Sequence, residues 1–303
     1  MYFSIKNEYN KLEKVILGIG YDFGGTPDIL DIYDPHSRKN VLQKTFPSQE
    51  EITSELSKFN HVLKKYDVKV LRPNNLEKTN QIFSRDIGFV IDDIFFISNV
   101  IKDRENEING VMDIINSFDN SKIVKLPDEV SVEGGDVIVH NDYIFIGTSS
   151  ENDFKTKKVA RTNKNAINYF KKYFPKKEIF PFELKKSDLL IDDNCLHLDC
   201  CFQPLGLGHA IVCIDAFKNN NDFELIKKIF SLENLIIISN KEMGELNSNL
   251  FSISNNIIVT NKKFKNINTK LRKLGYVLEE VDYSNISKMG GLFRCTTLPL
   301  VRL

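Results

Sequence analysis

The sequence predicts an α/β chain assembled from repeated ββαβ units, and three observations predict it. Four segments read as strand, tight polar turn, strand, with β-branched or aromatic residues on either side of a turn pair. Amphipathic helices, each followed by a short strand, lie between them. Both ends of the chain supply further strand material, which could complete one more unit and close a ring.

Taken in order, residues 14–20 read as a first strand, and residues 50–65 as a helix whose Ile52, Leu56, Phe59, Val62 and Leu63 share one face. Val68-Lys69-Val70-Leu71 is the short strand after it. The hairpins are residues 88–99, 136–147, 200–214 and 251–260, turning on Asp-Asp, Asn-Asp, Gly-Leu-Gly and Asn-Asn. Helices are expected over residues 163–173, 223–230 and 266–274, each leading into a strand at 178–180, 235–239 and 276–281. Residues 292–301 supply the last strand. The turns fall near residues 92, 141, 207 and 255, a spacing of roughly 50 to 65 residues that suits a repeat or propeller-like array. No low-complexity linker divides the chain, so residues 1–303 read as one catalytic domain.

Composition excludes several classes of function. Lys+Arg and Asp+Glu both number 41, and no dense basic block appears, so a nucleic-acid partner is not expected. No apolar run approaches the roughly 18–20 residues needed to span a bilayer, so no membrane partner is expected. The first twenty residues lack the charged start and apolar core of a signal peptide. Five cysteines without regular spacing do not form a disulfide framework, which points to a reducing cytoplasm and allows a free, reactive thiol.

The chemistry-bearing residues recur at one place in the repeat, just before the first strand of each hairpin. These segments are Ser84-Arg85-Asp86, Glu133-Gly134-Gly135-Asp136, His197-Leu198-Asp199, Asn247-Ser248-Asn249 and Gly290-Gly291-Leu292-Phe293-Arg294-Cys295. Repeats around an axis would bring them to one site. Singly, each has a plain structural reading: a buried cysteine, a hydrogen-bonded histidine, a polar turn, a surface ion pair. His197 and Asp199 alternate as they would on one strand face. Arg294 beside Cys295 would lower the thiol pKa. Several carboxylates aimed at one pocket need a cation, and a planar guanidinium with five donors suits them. Metal-ligand spacing is missing, so neither a metal nor another cofactor is expected.

Together these residues resemble the guanidino-group-modifying enzyme superfamily: arginine deiminase, dimethylarginine dimethylaminohydrolase and the glycine amidinotransferases. The matching pieces are Phe83-Ser84-Arg85-Asp86, Glu133-Gly134-Gly135-Asp136, Ala160-Arg161-Thr162-Asn163, His197-Leu198-Asp199 and residues 290–299, GGLFRCTTLP, in the superfamily's order. The resemblance implies a five-bladed α/β propeller, or pentein, of ββαβ repeats. It implies Cys295 as nucleophile, His197 as general acid and base, Asp86 and Asp199 as the grip on the guanidinium nitrogens, and Glu133 as the acid that also orients the histidine. Asp136, Arg161 and Arg104 then stand near the amino-acid end of the substrate, and Arg294 joins the substrate-binding set. The partner implied is a small guanidino compound such as arginine, and a homo-oligomer is compatible with it.

The implied reaction passes through a covalent intermediate on Cys295. Water would resolve it in a hydrolase of the arginine deiminase kind, and an amine such as glycine in an amidinotransferase. Glu133-Gly-Gly-Asp136 and Arg294-Cys295 resemble the hydrolytic deiminases, whereas Phe46-Pro47, Val70-Leu71-Arg72-Pro73 and Arg85-Asp86-Ile87 resemble the amidinotransferases. Hydrolysis is the expectation, because the segment nearest the chemistry carries that likeness. A non-catalytic guanidino-compound sensor is the alternative of another class.

Overall fold

The computed structural model describes residues 1–303. Its strands form five separate three-stranded sheets on one plan, an antiparallel hairpin whose second strand also pairs parallel with a third. The first sheet holds β1 (Leu12–Leu17) parallel to β2 (Lys69–Leu71), joined by α1 (Pro35–Leu42) and α2 (Gln49–Lys65). The second holds β3 (Gly88–Ile91), β4 (Ile94–Ile97) and β5 (Ile123–Lys125), with only short turns and α3 (Met112–Ile115) in the crossover. The third is β6 (Val137–His140), β7 (Tyr143–Thr148) and, after α4 (Glu151–Thr156) and α5 (Lys164–Tyr173), β8 (Glu178–Glu183). The fourth is β9 (Phe202–Pro204), β10 (Ala210–Val212), α6 (Asn220–Phe230) and β11 (Leu235–Ile237). After α7 (Asn240–Gly244), the fifth is β12 (Phe251–Ser254), β13 (Ile257–Asn261), α8 (Lys265–Lys273) and β14 (Val277–Val281). Finally β15 (Thr297–Arg302) returns antiparallel to β1 and completes the first sheet. The expected five-bladed α/β propeller of ββαβ repeats is the fold.

Local chemistry sets the elements. Ser48 caps α2 while Glu51 reaches back to the Ser48 N–H, and Lys64 and Lys65 sit at the negative end of the helix dipole. Ile52, Leu56, Phe59 and Leu63 form its buried stripe. Phe59 meets the rings of Phe251, Tyr283 and Phe293 edge-on at 5.2–5.9 Å, which fixes the chain just ahead of Cys295. Two hairpins turn on residues with positive φ, Asp92 at 53° and Asn141 at 56°, a conformation these short polar side chains tolerate.

Three features depart from the sequence reading. His197 is extended but unpaired, and Leu198–Cys200 form a 3-10 turn, so His197 and Asp199 do not share a strand face. The second crossover carries two 3-10 turns, Lys102–Arg104 and Glu107–Gly110, where no periodicity announced structure. Residues 3–10 cross three blades: Ser4 bridges Val301, Ile5 bridges Asp92 and Asn7 bridges His140. No helix is long and apolar enough to cross a membrane.

Candidate active site

Each blade sends the loop before its first hairpin strand toward the propeller axis, and these loops build the site. The one before β6 turns on Gly134–Asp136 and presents Glu133. A side chain at Gly135 would place its Cβ 2.7 Å from the His197 ring and 3.0 Å from Asp86 Oδ1, so glycine is what lets these two groups close over the turn. Glu133 Oε2 lies 2.9 Å from His197 Nε2, and Asp86 Oδ1 lies 3.6 Å from His197 Nδ1. Arg161 Nη1 donates to both Glu133 oxygens at 3.0 Å. Arg104 Nη1 donates to Asp86 Oδ2 at 2.7 Å, while its Nε and Nη2 donate to the two oxygens of Glu107 at 2.8 and 2.7 Å.

Cys295 is held by Asn249. The Asn249 amide donates to Sγ at 3.2 Å, and its Oδ1 accepts the backbone N–H groups of Arg294 and Cys295 at 3.1 and 3.2 Å. Asp86, Arg104, Arg161, His197 and Cys295 line one cavity of about 140 Å³, walled also by Phe23, Tyr33, Phe46 and Phe83. Asp86 Oδ1 is buried and has no hydrogen-bond partner. Such an oxygen is a vacant acceptor.

The charges are strongly coupled. Burial pushes the Glu133 carboxyl up, but Arg161, His197 and Arg104 overcome it and hold the group well below the usual carboxylate range. Burial pulls His197 down, yet Asp86, Glu133 and Asp136 together raise it above the ordinary 6.5, which favours the imidazolium. Burial, then Asp199 and Asp86, push the Cys295 thiol well above its usual value. The expectation that Arg294 would activate the thiol is therefore overturned. Its guanidinium turns away to Asp199 Oδ2 at 2.7 Å and Glu8 Oε1 at 3.1 Å.

Four expected site residues stand behind the cavity wall, and the first, Glu133, reaches it only through His197 and Arg161. Asp136 is fully buried and accepts from Thr162 Oγ1 at 2.6 Å and from the Leu198 N–H at 2.9 Å, so it shapes the His197 loop instead of facing a substrate. Arg294 is 1% exposed and does not line the cavity, because its Nη1 and Nη2 point away to Asp199, Glu8 and the Val137 carbonyl. Asp199 likewise gives one oxygen to Arg294 and does not line the cavity, though its charge reaches Cys295. Glu8, Glu107 and Asn249 were not assigned to the site from the sequence. Asn249 sat at the repeat's chemical position, and Glu107 lies three residues after Arg104, a spacing at which helical side chains meet. Glu8 gave no local signal.

Ligand-type atoms of Asp86, Glu133 and His197 lie within 4.8 Å of one another, close enough for a metal ion. Arg104 and Arg161 already neutralise the two carboxylates, however, and His197 favours the protonated form, which cannot ligate. The donor set suits a further guanidinium better than a metal.

A family model described as N,N dimethylarginine dimethylhydrolase, eukaryotic, matches residues 31–302. The chain belongs to this family. An uncharacterised protein of Bacillus subtilis strain 168, YkgA, is 30% identical over 300 residues, covering 98% of this chain and 94% of that one. Among solved structures, the N-terminal domain of ArgZ, an arginine dihydrolase from the cyanobacterial ornithine–ammonia cycle, superposes with a TM-score of 0.79 at 20% identity, covering 97% and 98% of the two chains. SxtG, an amidinotransferase of Microseira wollei, gives 0.77 at 18%, covering 99% and 97%. The two structural likenesses establish the pentein fold. Membership of the dimethylarginine dimethylhydrolase family makes the chain a guanidino-modifying enzyme that acts on an amidine carbon.

Proposed function

We propose that the protein is a cysteine-dependent hydrolase of a free guanidino compound, arginine or a close analogue, working through an intermediate on Cys295. The vacant Asp86 Oδ1, in one cavity with His197 and Cys295, carries this reading. Around it Asp86, Glu107 and Glu133 pair with Arg104, Arg161 and His197. A guanidinium entering this paired set adds one positive charge, and loss of the Cys295 proton offsets it. The cation thus favours the thiolate that burial, Asp199 and Asp86 disfavour in its absence.

The chemistry follows from the placement. The guanidinium donates to Asp86, and the Cys295 sulfur adds to the central carbon to form a tetrahedral adduct. His197, held by Glu133, gives its proton to the departing nitrogen as the C–N bond breaks. Departure of ammonia leaves an alkylthiouronium on the sulfur, and departure of the alkylamine leaves an amidino group. Neutral His197 then takes a proton from water, whose oxygen bonds to the carbon, and cleavage of the C–S bond restores the thiolate. SxtG is an amidinotransferase, so this fold also hosts transfer of an amidino group to an acceptor.

Acid-quenched mass spectrometry of the intact protein tests the reading. The expected result is an adduct on Cys295 with arginine or an analogue, absent in Cys295→Ala, together with product release in water alone. Turnover that appears only when an acceptor amine is added would replace hydrolysis by amidino transfer. Full turnover by Cys295→Ala would overturn covalent catalysis.

A further inference from the structure

No charged side chain donates to the Cys295 sulfur. The Arg294 guanidinium turns away to Asp199 and Glu8. The two nitrogens of His197 face Glu133 at 2.9 Å and Asp86 at 3.6 Å. The titratable groups around the thiol are Asp86, Asp199 and Cys200, with His197 in the same cavity, and the two aspartates oppose its ionisation. One side chain is hydrogen-bonded to the sulfur, the Asn249 amide, whose Nδ2 lies 3.2 Å away.

The orientation of that amide is forced. The N–H groups of Arg294 and Cys295 converge on one end of it at 3.1 and 3.2 Å, and two donors require the carbonyl oxygen there. A flipped amide would set its NH2 against both. The NH2 group is therefore turned onto the sulfur. Asn249 is fully buried, and its own N–H donates to the Leu246 carbonyl at 3.0 Å. The adjacent Ser248 hydroxyl donates to the Asp199 carbonyl at 3.2 Å, so the loop ahead of β12 is braced against the fourth blade. A donor held in this way bonds an anionic sulfur more strongly than a neutral one. Resting on the proposed covalent chemistry, we propose that Asn249 is a further catalytic residue: its amide takes up part of the sulfur's negative charge when the thiolate forms, and again when C–S cleavage releases it. The carbonyl end anchors the Cys295 loop and the NH2 end tunes the nucleophile, so substitution separates the two roles.

Asn249→Asp keeps an oxygen for the two N–H groups and removes the amide donor from the sulfur, whereas Asn249→Ala removes both. Timed iodoacetamide treatment without substrate, read by peptide mass spectrometry, gives the alkylation rate at Cys295 alone. Below the thiol pKa this rate follows the thiolate fraction. At about pH 9, Asn249→Asp is expected to react about ten- to a hundredfold more slowly than the parent while keeping most of its thermal stability. Asn249→Ala is expected to lose both. Adduct formation with arginine in a single turnover should slow in Asn249→Asp by about tenfold or more. Parental alkylation and adduct rates in Asn249→Asp would overturn the inference and leave the covalent reading standing. So would a deficit that comes only with the drop in melting temperature seen in Asn249→Ala, since anchoring alone would then explain it. Slower alkylation of Asn249→Asp, with no Cys295 adduct from any guanidine in the parent, would sink the covalent reading and keep the effect of Asn249 on the sulfur.

Discussion

His197 is the residue whose state the surrounding charges decide most directly. Its two nitrogens face Glu133 at 2.9 Å and Asp86 at 3.6 Å, and burial alone would leave it neutral. The carboxylates win, so the free enzyme holds the imidazolium that the first step uses as an acid. This acid is lost as pH rises through a pKa held above 6.5. The profile of kcat/KM, which reports the free enzyme, should therefore fall on an alkaline limb above the ordinary histidine range. Glu133→Gln removes one raising charge, so that limb should move to lower pH, with kcat reduced by about 10²-fold or more. An alkaline limb that stays in place in Glu133→Gln would mean that another group titrates there.

The elements that carry the reacting residues are short, and their placement depends on contacts between blades. Glu55, buried on α2, accepts the Asn285 N–H at 2.9 and 3.1 Å, the Ile286 N–H at 2.9 Å and the Asn285 side-chain amide at 3.1 Å. It thereby satisfies the opening of the Ile286–Met289 turn, directly ahead of Gly290 and the Cys295 loop. Glu55→Ala should cost about 2–4 kcal/mol, because it leaves buried donors without an acceptor. Denaturant unfolding checks this against exposed Lys58→Ala, expected within about 0.5 kcal/mol of the parent. A Glu55→Ala midpoint equal to the parent's would remove this bond set from the account of stability. The same dependence explains what the sequence disclosed. α2, α5, α6 and α8 showed an apolar stripe, and the hairpins showed their turn pairs, because those signals are local. The repeat position of Asp86, Glu133, His197 and Cys295 was legible for the same reason. Asp199's ion pair with Arg294 and Glu8's place beside it were not, since they join residues 95 and 286 positions apart. Nor was the crossover bearing Arg104 and Glu107, whose 3-10 turns lack an amphipathic period.

At the scale of the whole molecule, the ring is closed by its last strand. β15 pairs antiparallel with β1, and its other side meets Ser4, whose N–H donates to the Leu300 carbonyl at 3.0 Å. Arg302, buried at the end of this strand, donates to the Asn10 carbonyl at 2.6 Å and the Ser252 carbonyl at 2.8 Å, so it ties the N-terminal segment to the fifth blade. Without β15, β1 keeps only its three-residue partner β2, and the backbone groups that faced β15 lose their partners. The buried faces of Leu298, Leu300 and Val301 vanish from the cluster that holds Phe3, Ile16 and Phe95. Below the site, Glu8, Arg85, Asp199 and Arg294 form a buried charge network that depends on the first, second and fourth blades staying in place, since an ion that loses its partner there costs about 3–5 kcal/mol. Closure therefore belongs to the stability of the whole ring as well as that of one blade. A chain ending at Thr296 should lose the cooperative thermal transition and the near-ultraviolet dichroism of packed aromatic rings, although Cys295 and every other reacting group remain in it. A cooperative melt in that truncated chain, even at lower temperature, would show that four complete blades fold independently and that the returning strand only adds to them.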